Sequence, residues 1–199
     1  MDTKYKTLAD IKEVKININK SVFIAEGLEV DSILKAQKFI SDLKEKYINA
    51  THYCSAYIIG NQMYADDNGE PAGTAGLPIL NVLKRNNLNN IIIVIVRYYG
   101  GKKLGVRGLI EAYRQASEYL IENSIIIQRV PGIEFIISCD YNYANKFSNI
   151  KDDRIKVIEK KYTDKVIMTV FIELSLIADY EKEFTRDNVK IISKTETVN

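Results

Sequence analysis

"NIIIVIVRYYGGKKLGVRGLIEAY", residues 90–113, passes from an unbroken apolar run through a glycine-rich break into a pattern of helical period. Adjacent side chains of a strand point to opposite faces, so a run such as Ile91–Val96, apolar at every position, fits a central strand covered on both faces. Beyond the break, Leu109, Tyr113, Ala116 and Leu120 recur at 4-3-4 spacing. That spacing predicts an amphipathic helix from about Leu109 to near Asn123.

Upstream, residues 65–80 read "ADDNGEPAGTAGLPIL", a loop whose second half leads into a helix. Proline is tolerated only in the first helical turn, so Pro78 limits where that helix begins, and Gly76 is the expected N-cap. Before the loop, "THYCSAYIIG" reads as a strand. It follows a helix in which Ile33, Ala36, Ile40, Leu43 and Tyr47 keep 3-4-3-4 spacing after two candidate caps, Asp31 and Ser32. Residues 11–29 form two strands about a polar turn at Asn19 and Lys20.

Downstream, "RVPG" at 129–132 punctuates the chain and sets a boundary between domains 1–130 and 131–199. The remainder reads strand, helix, strand, strand, helix, strand. This β-α-β-β-α-β order is the ferredoxin-like pattern, so the fold class is α+β in two domains.

The chain has 199 residues, 46% of them hydrophobic and 27% charged, which suits a globular protein with a sizeable core. "IIIVIV" falls far short of the roughly 20 apolar residues of a membrane span, and "MDTKYKTLAD" lacks the apolar stretch of a signal peptide, so no membrane partner and a cytoplasmic location are expected. Cys54 and Cys139, the two cysteines, suggest neither a disulfide framework nor a zinc knuckle. The net charge of +2 announces no partner, but its distribution is uneven. Residues 50–70 carry Asp66, Asp67 and Glu70 with no Lys or Arg, whereas 71–130 carry eight bases against three acids.

Four groups of residues are candidates for chemistry. In "GGKKLGVRG", the backbone of Gly100, Gly101 and Gly105 and the following helix start can meet an anion, aided by Lys102, Lys103 and Arg107. Val106 and Arg107 stand where a nucleotide-hydrolysing P-loop needs Lys and Ser or Thr, and the alternative is a tight turn with solvated lysines. Asp66, Asp67 and Glu70 can hold a hard cation or act as acid and base, can make an Asx turn beside Gly69 and Pro71, or can pair with Arg97 or Lys102. His52 and Cys54 share a strand face and with Asp66 or Asp67 would compose a nucleophilic set, or else are core residues. Tyr98 and Tyr99 beside Arg97 suit base stacking or packing on a half-buried strand. No motif for a metal or a cofactor is complete, and neither is expected.

"HYCSAYIIG", "DDNGEPAGTAGLPIL" and "VRYYGGKKLGVRGLIEAY", in this order ahead of a ferredoxin-like half, closely resemble the IMPACT family. The resemblance implies an N-terminal split β-α-β domain like the second domain of a small-subunit ribosomal protein, and a C-terminal domain like the fifth domain of elongation factor G. It also implies a link to translational control, which in eukaryotic relatives runs through competition for the activator of a starvation kinase. His52, Cys54, Asp66, Asp67, Glu70, Arg97, Tyr98 and the loop glycines match the family's pattern, while Arg107 stands where relatives usually have glycine. The leading expectation is a translation-associated protein binding RNA, the ribosome or a translation-control protein, with Arg97, Lys102, Lys103 and Arg107 on phosphate. The alternative is a small-molecule enzyme acting on a phosphorylated or nucleotide-like substrate.

Overall fold

A computed structural model describes residues 4–187 and 189–198. The chain divides into two compact units, one spanning Tyr5–Gln128 and the other running from residue 129 onward and taking in Lys4.

In the first unit, strand β1 (Tyr5–Ala9) pairs with β7 (Ile125–Arg129) in a two-stranded sheet. A five-stranded sheet is built from β2 (Val14–Ile18), β3 (Ser21–Glu29), β4 (His52–Ile59), β5 (Gln62–Asp66) and β6 (Ile91–Tyr98), in the order β2-β3-β6-β4-β5. All its pairings are antiparallel. Since β3 and β4 both oppose the intervening β6, they run parallel to each other. Helix α1 (Ile33–Lys46) connects them, which is the split β-α-β unit.

The apolar run at 91–96 explains the layering. Each of its six residues is fully buried. Ile91, Ile93 and Ile95 face α2 (Gly76–Arg85) and α3 (Gly105–Glu122), in a core shared with Phe23, Cys54, Ile79, Leu83, Tyr113 and Leu120. Ile92, Val94 and Val96 face the side of Ala36 and Leu43 on α1. Burying one such side chain contributes about 1.5–3 kcal/mol, so both helical layers are anchored on this strand.

Local chemistry sets the joints. Asn19 (φ +45°) and Lys20 (φ +68°) form a two-residue turn with both residues left-handed, the geometry that suits the twist of a tight hairpin. Of the two candidate caps before α1, Ser32 accepts the Lys35 backbone N–H at 3.4 Å, while Asp31 instead pairs with the Lys35 ammonium at 2.5 Å. Helix α3 starts at Gly105, four residues ahead of its periodic apolar face, because the first turn is exposed and carries no packing signal.

In the second unit, β8 (Pro131–Cys139), α4 (Tyr141–Ser148), β9 (Ile155–Tyr162), β10 (Val166–Glu173), a 3-10 turn (Leu174–Leu176), α5 (Ile177–Arg186) and β11 (Lys190–Val198) follow in turn. The sheet order is β11-β8-β10-β9 with every pairing antiparallel, the ferredoxin-like arrangement. Phe135, Ile137, Met168 and Val170 pack beneath Tyr143 and Phe147 of α4 and Phe184 of α5. Pro131 and Gly132 do not form a turn. They open strand β8, a position open to proline, and a Cβ on Gly132 would lie 2.3 Å from the Phe171 ring and 2.5 Å from the Ile172 carbonyl oxygen.

Candidate functional site

The acidic loop after β5 is built around its own backbone. Asp66 Oδ1 accepts the Asn68 N–H at 2.8 Å. Asp67 reaches further: Oδ2 accepts the Gly73 N–H at 2.7 Å, and Oδ1 accepts those of Ala75 and Gly76 at 2.9 Å each. Ala75, not Gly76, is the N-cap of α2 and has no capping side chain, so Asp67 satisfies the helix's orphan donors from a distance in sequence. Pro78, third in the helix, gives up only an N–H that would lack an intrahelical partner.

Partial burial raises the Asp67 carboxyl, but its three backbone donors outweigh that and hold it below the ordinary carboxylate value. A depressed folded-state value stabilises the fold above the unfolded carboxylate range, near pH 4, and the contribution is lost as pH falls through the folded value. Asp67→Ala is expected to cost about 0.5–2 kcal/mol at neutral pH. Hydrogen exchange at the β6 amides of the same unit at pH 7 and pH 3 checks this: Asp67→Asn should lose less stability on acidification than the parent, and parallel losses would refute the cap's ionic character.

Strand register assembles the second feature. Arg97 on β6 lies opposite Phe23 on β3 and His52 on β4, so the three occupy one row across the sheet. Glu70 enters from the acidic loop: its Oε1 accepts Arg97 Nη1 at 2.5 Å and the Tyr113 hydroxyl at 2.9 Å. The side chains of Arg97 and Glu70 are 5% and 3% exposed, which makes this a buried ion pair. Arg97 Nη2 donates to Ser21 Oγ at 3.2 Å, and the same oxygen accepts the Gly100 N–H at 3.3 Å. The guanidinium carbon lies 5.3 Å from the Phe23 ring centroid and 5.5 Å from that of Tyr99.

His52 and Cys54 are drawn in different directions. His52 Nδ1 is 2.8 Å from the Asn68 carbonyl oxygen, which can only accept, so Nδ1 carries the proton and Nε2 faces Glu70 Oε1 at 3.8 Å. Cys54 Sγ lies 3.2 Å from the Tyr113 hydroxyl and 3.0 Å from the Asp67 carbonyl oxygen. No hydrogen bond joins His52 to Cys54 among the described residues. Burial pushes the Cys54 thiol up to about 12, against the thiolate a nucleophile needs, and burial with Cys54 and Glu70 nearby likewise raises the Tyr113 hydroxyl.

The glycine-rich loop combines two devices. Gly100 permits close approach, since a Cβ there would lie 1.9 Å from the Lys20 carbonyl oxygen. Gly101 (φ +82°) and Gly105 (φ +72°) supply left-handed backbone. Lys102, Lys103 and Arg107 are exposed and make no hydrogen bond or ion pair with the described residues. Arg107 sits in the first turn of α3, which contains no acid. A helix N-terminus already carries positive potential, so this end of α3 is an uncompensated cationic site.

Tyr98 donates its hydroxyl to the Ile48 carbonyl at 3.2 Å and packs with the α1-side core. Ser21 and Phe23 complete the Arg97 network without a sequence motif to mark them, while Tyr113 closes the matched stretch "VRYYGGKKLGVRGLIEAY". Tyr113 reads as one more apolar helix position until its hydroxyl is seen on Glu70. A cavity of about 190 Å³ between α2 and α3 is lined by residues including Leu77, Pro78, Arg85 and Arg114, and none of the candidate residues borders it. Among the described residues no three His, Cys, Asp or Glu side chains are grouped to hold a metal, and no helix is long and apolar enough to cross a membrane.

Comparison with known proteins gives concordant matches. A family model described as the Impact N-terminal domain matches residues 19–121. IMPACT family member YvyE of Bacillus subtilis is 38% identical over 174 residues, covering 85% of this chain and 80% of that protein. IMPACT family member YigZ of Escherichia coli is 28% identical over 188 residues, covering 90% and 92%. A solved structure described as that of a hypothetical protein is similar with a TM-score of 0.67 at 27% sequence identity, covering 96% of this chain and 97% of that one.

Proposed function

The chain belongs to the IMPACT family, and from that premise we propose that it is a translation-associated protein that binds RNA, free or exposed on the ribosome, through the phosphate backbone. The functional unit is the one spanning Tyr5–Gln128, with the ferredoxin-like unit as its companion, acting in the cytoplasm. The observation that carries the reading is the set of unpaired cations Lys102, Lys103 and Arg107 at the acid-free start of an 18-residue helix. Phosphate would meet side-chain charge and backbone N–H groups together there. Family membership supplies the translational setting.

The rival reading, an enzyme acting on a phosphorylated or nucleotide-like substrate, would need its acids and nucleophile available. Asp67 is engaged by α2, Glu70 by Arg97 and Tyr113, and the Cys54 thiol is held protonated. These engagements favour a structural role for the loop acids and a binding role for the cations.

Affinity for a single-stranded RNA oligonucleotide should fall steeply as salt rises, since bound lysines displace counterions. Lys102→Ala with Lys103→Ala should flatten the log–log salt slope by roughly 1.4, at about 0.7 per lost contact. Absent binding, or binding indifferent to salt, would refute the reading.

A further inference from the structure

We infer that Tyr99 is a stacking platform for an unpaired base, so that the RNA held at this end of the molecule is single-stranded. The inference rests on the RNA-binding reading above and adds the form of the nucleic acid. Its starting point is the difference between two adjacent tyrosines. Tyr98 is half-buried, bonded through its hydroxyl and packed against the sheet. Tyr99 is 44% exposed, and its hydroxyl has no hydrogen-bond partner among the described residues.

What holds Tyr99 lies beneath and beside it. Its backbone N–H donates to Thr51 Oγ1 at 2.9 Å. The Arg97 guanidinium covers one side of its ring, and that guanidinium lies in turn on the buried Phe23 ring. Arg97 cannot drift, because Glu70 and Ser21 hold its two terminal nitrogens. Phe23, Arg97 and Tyr99 thus form a stack that starts in the core and ends at the surface on an aromatic ring. A ring fixed before binding loses little rotamer freedom when a base lands on it, which is the preorganisation that favours tight contact.

The surroundings suit a single strand. Lys102 and Lys103 follow three and four positions later, and the close approach at Gly100 brings the Lys20 backbone against the same loop. Aromatic faces flanked by backbone-tracking cations are the means by which proteins hold single strands without reading sequence. Lysines alone would hold a duplex too. A duplex keeps its bases stacked inside, so the ring adds nothing to it.

The test measures binding of a ten-nucleotide uridine-rich RNA carrying one central 2-aminopurine, and of a ten-base-pair RNA duplex, at one salt concentration. Tyr99→Ala should weaken single-strand binding by about 5- to 100-fold, abolish the quenching of 2-aminopurine fluorescence and leave duplex affinity unchanged. Tyr99→Phe should behave as the parent. Tyr99→Leu, which keeps an apolar cover over Arg97 but has no aromatic face, should behave as Tyr99→Ala, and circular dichroism confirms that each variant is folded. Equal losses for both RNAs, or none for either, would overturn the stacking site. The phosphate reading would survive that result if Lys102→Ala with Lys103→Ala still weakened binding to both RNAs. Binding of neither RNA by the parent protein would overturn both.

Discussion

Glu70→Ala should destabilise the first unit by about 3–5 kcal/mol, the range seen when one partner of a buried ion pair is removed. The carboxylate is 3% exposed and accepts both Arg97 and Tyr113 at Oε1. Its loss leaves a buried guanidinium without a counter-charge, and Arg97 Nε already has no hydrogen-bond partner. The Tyr113 hydroxyl loses its acceptor too. Against a typical domain stability of about 5–15 kcal/mol, this removes much of the margin. Hydrogen exchange at the β6 amides reads the effect within the right unit, which bulk unfolding of a two-unit chain does not. If the penalty is one of orphaned charge, replacing the set together, with Glu70→Leu, Arg97→Met and Tyr113→Phe, should recover most of it. Protection in Glu70→Ala within about 1 kcal/mol of the parent would mean that water reaches Arg97.

The fold was legible where a local pattern has one physical solution. Ile91–Val96 admits little but a doubly covered strand, and the ferredoxin-like half follows from element order. Detail is hidden where the deciding partner is distant in sequence. Pro131 and Gly132 mark a boundary by composition, but that they open β8 is decided by strand pairing and the Phe171 ring. The start of α3 was obscured because its first turn packs against nothing, and the short strands β1, β5 and β7 carry too few alternations to stand out. The loop acids show the limit most clearly. Composition allowed Asp66, Asp67 and Glu70 a metal, a reaction, a turn or an ion pair, and three adjacent-looking carboxylates turn out to do separate jobs: a local turn, a remote helix cap and a buried pair with Arg97. Only pairing of β4 and β3 with β6 brings His52, Phe23 and Arg97 into one row, and that register is not written in any single segment.

Gly100 and Gly101 carry the same letter, but their replacement by alanine should have very different consequences. At Gly101 a Cβ meets nothing within 4 Å, so Gly101→Ala costs only the left-handed backbone at φ +82°, about 1–2 kcal/mol. At Gly100 the Cβ would lie 1.9 Å from the Lys20 carbonyl oxygen, 2.1 Å from its carbon and 2.6 Å from the Ser21 nitrogen. Those atoms are backbone within a two-residue turn whose register is fixed by the β2–β3 pairing, so they cannot swing aside as a side chain would. Overpacking of this kind costs about 1–3 kcal/mol where neighbours adjust, and a backbone wall places Gly100→Ala at the upper end or beyond. Displacing Ser21 also disturbs the oxygen shared by Gly100 and Arg97, which loosens the support under Tyr99. Hydrogen exchange at the β6 amides should therefore report a loss of about 3 kcal/mol or more for Gly100→Ala against about 1–2 kcal/mol for Gly101→Ala. RNA affinity should drop in the first. Equal, small losses of protection for the two would place the hairpin turn farther from the loop than the close approach at Gly100 requires.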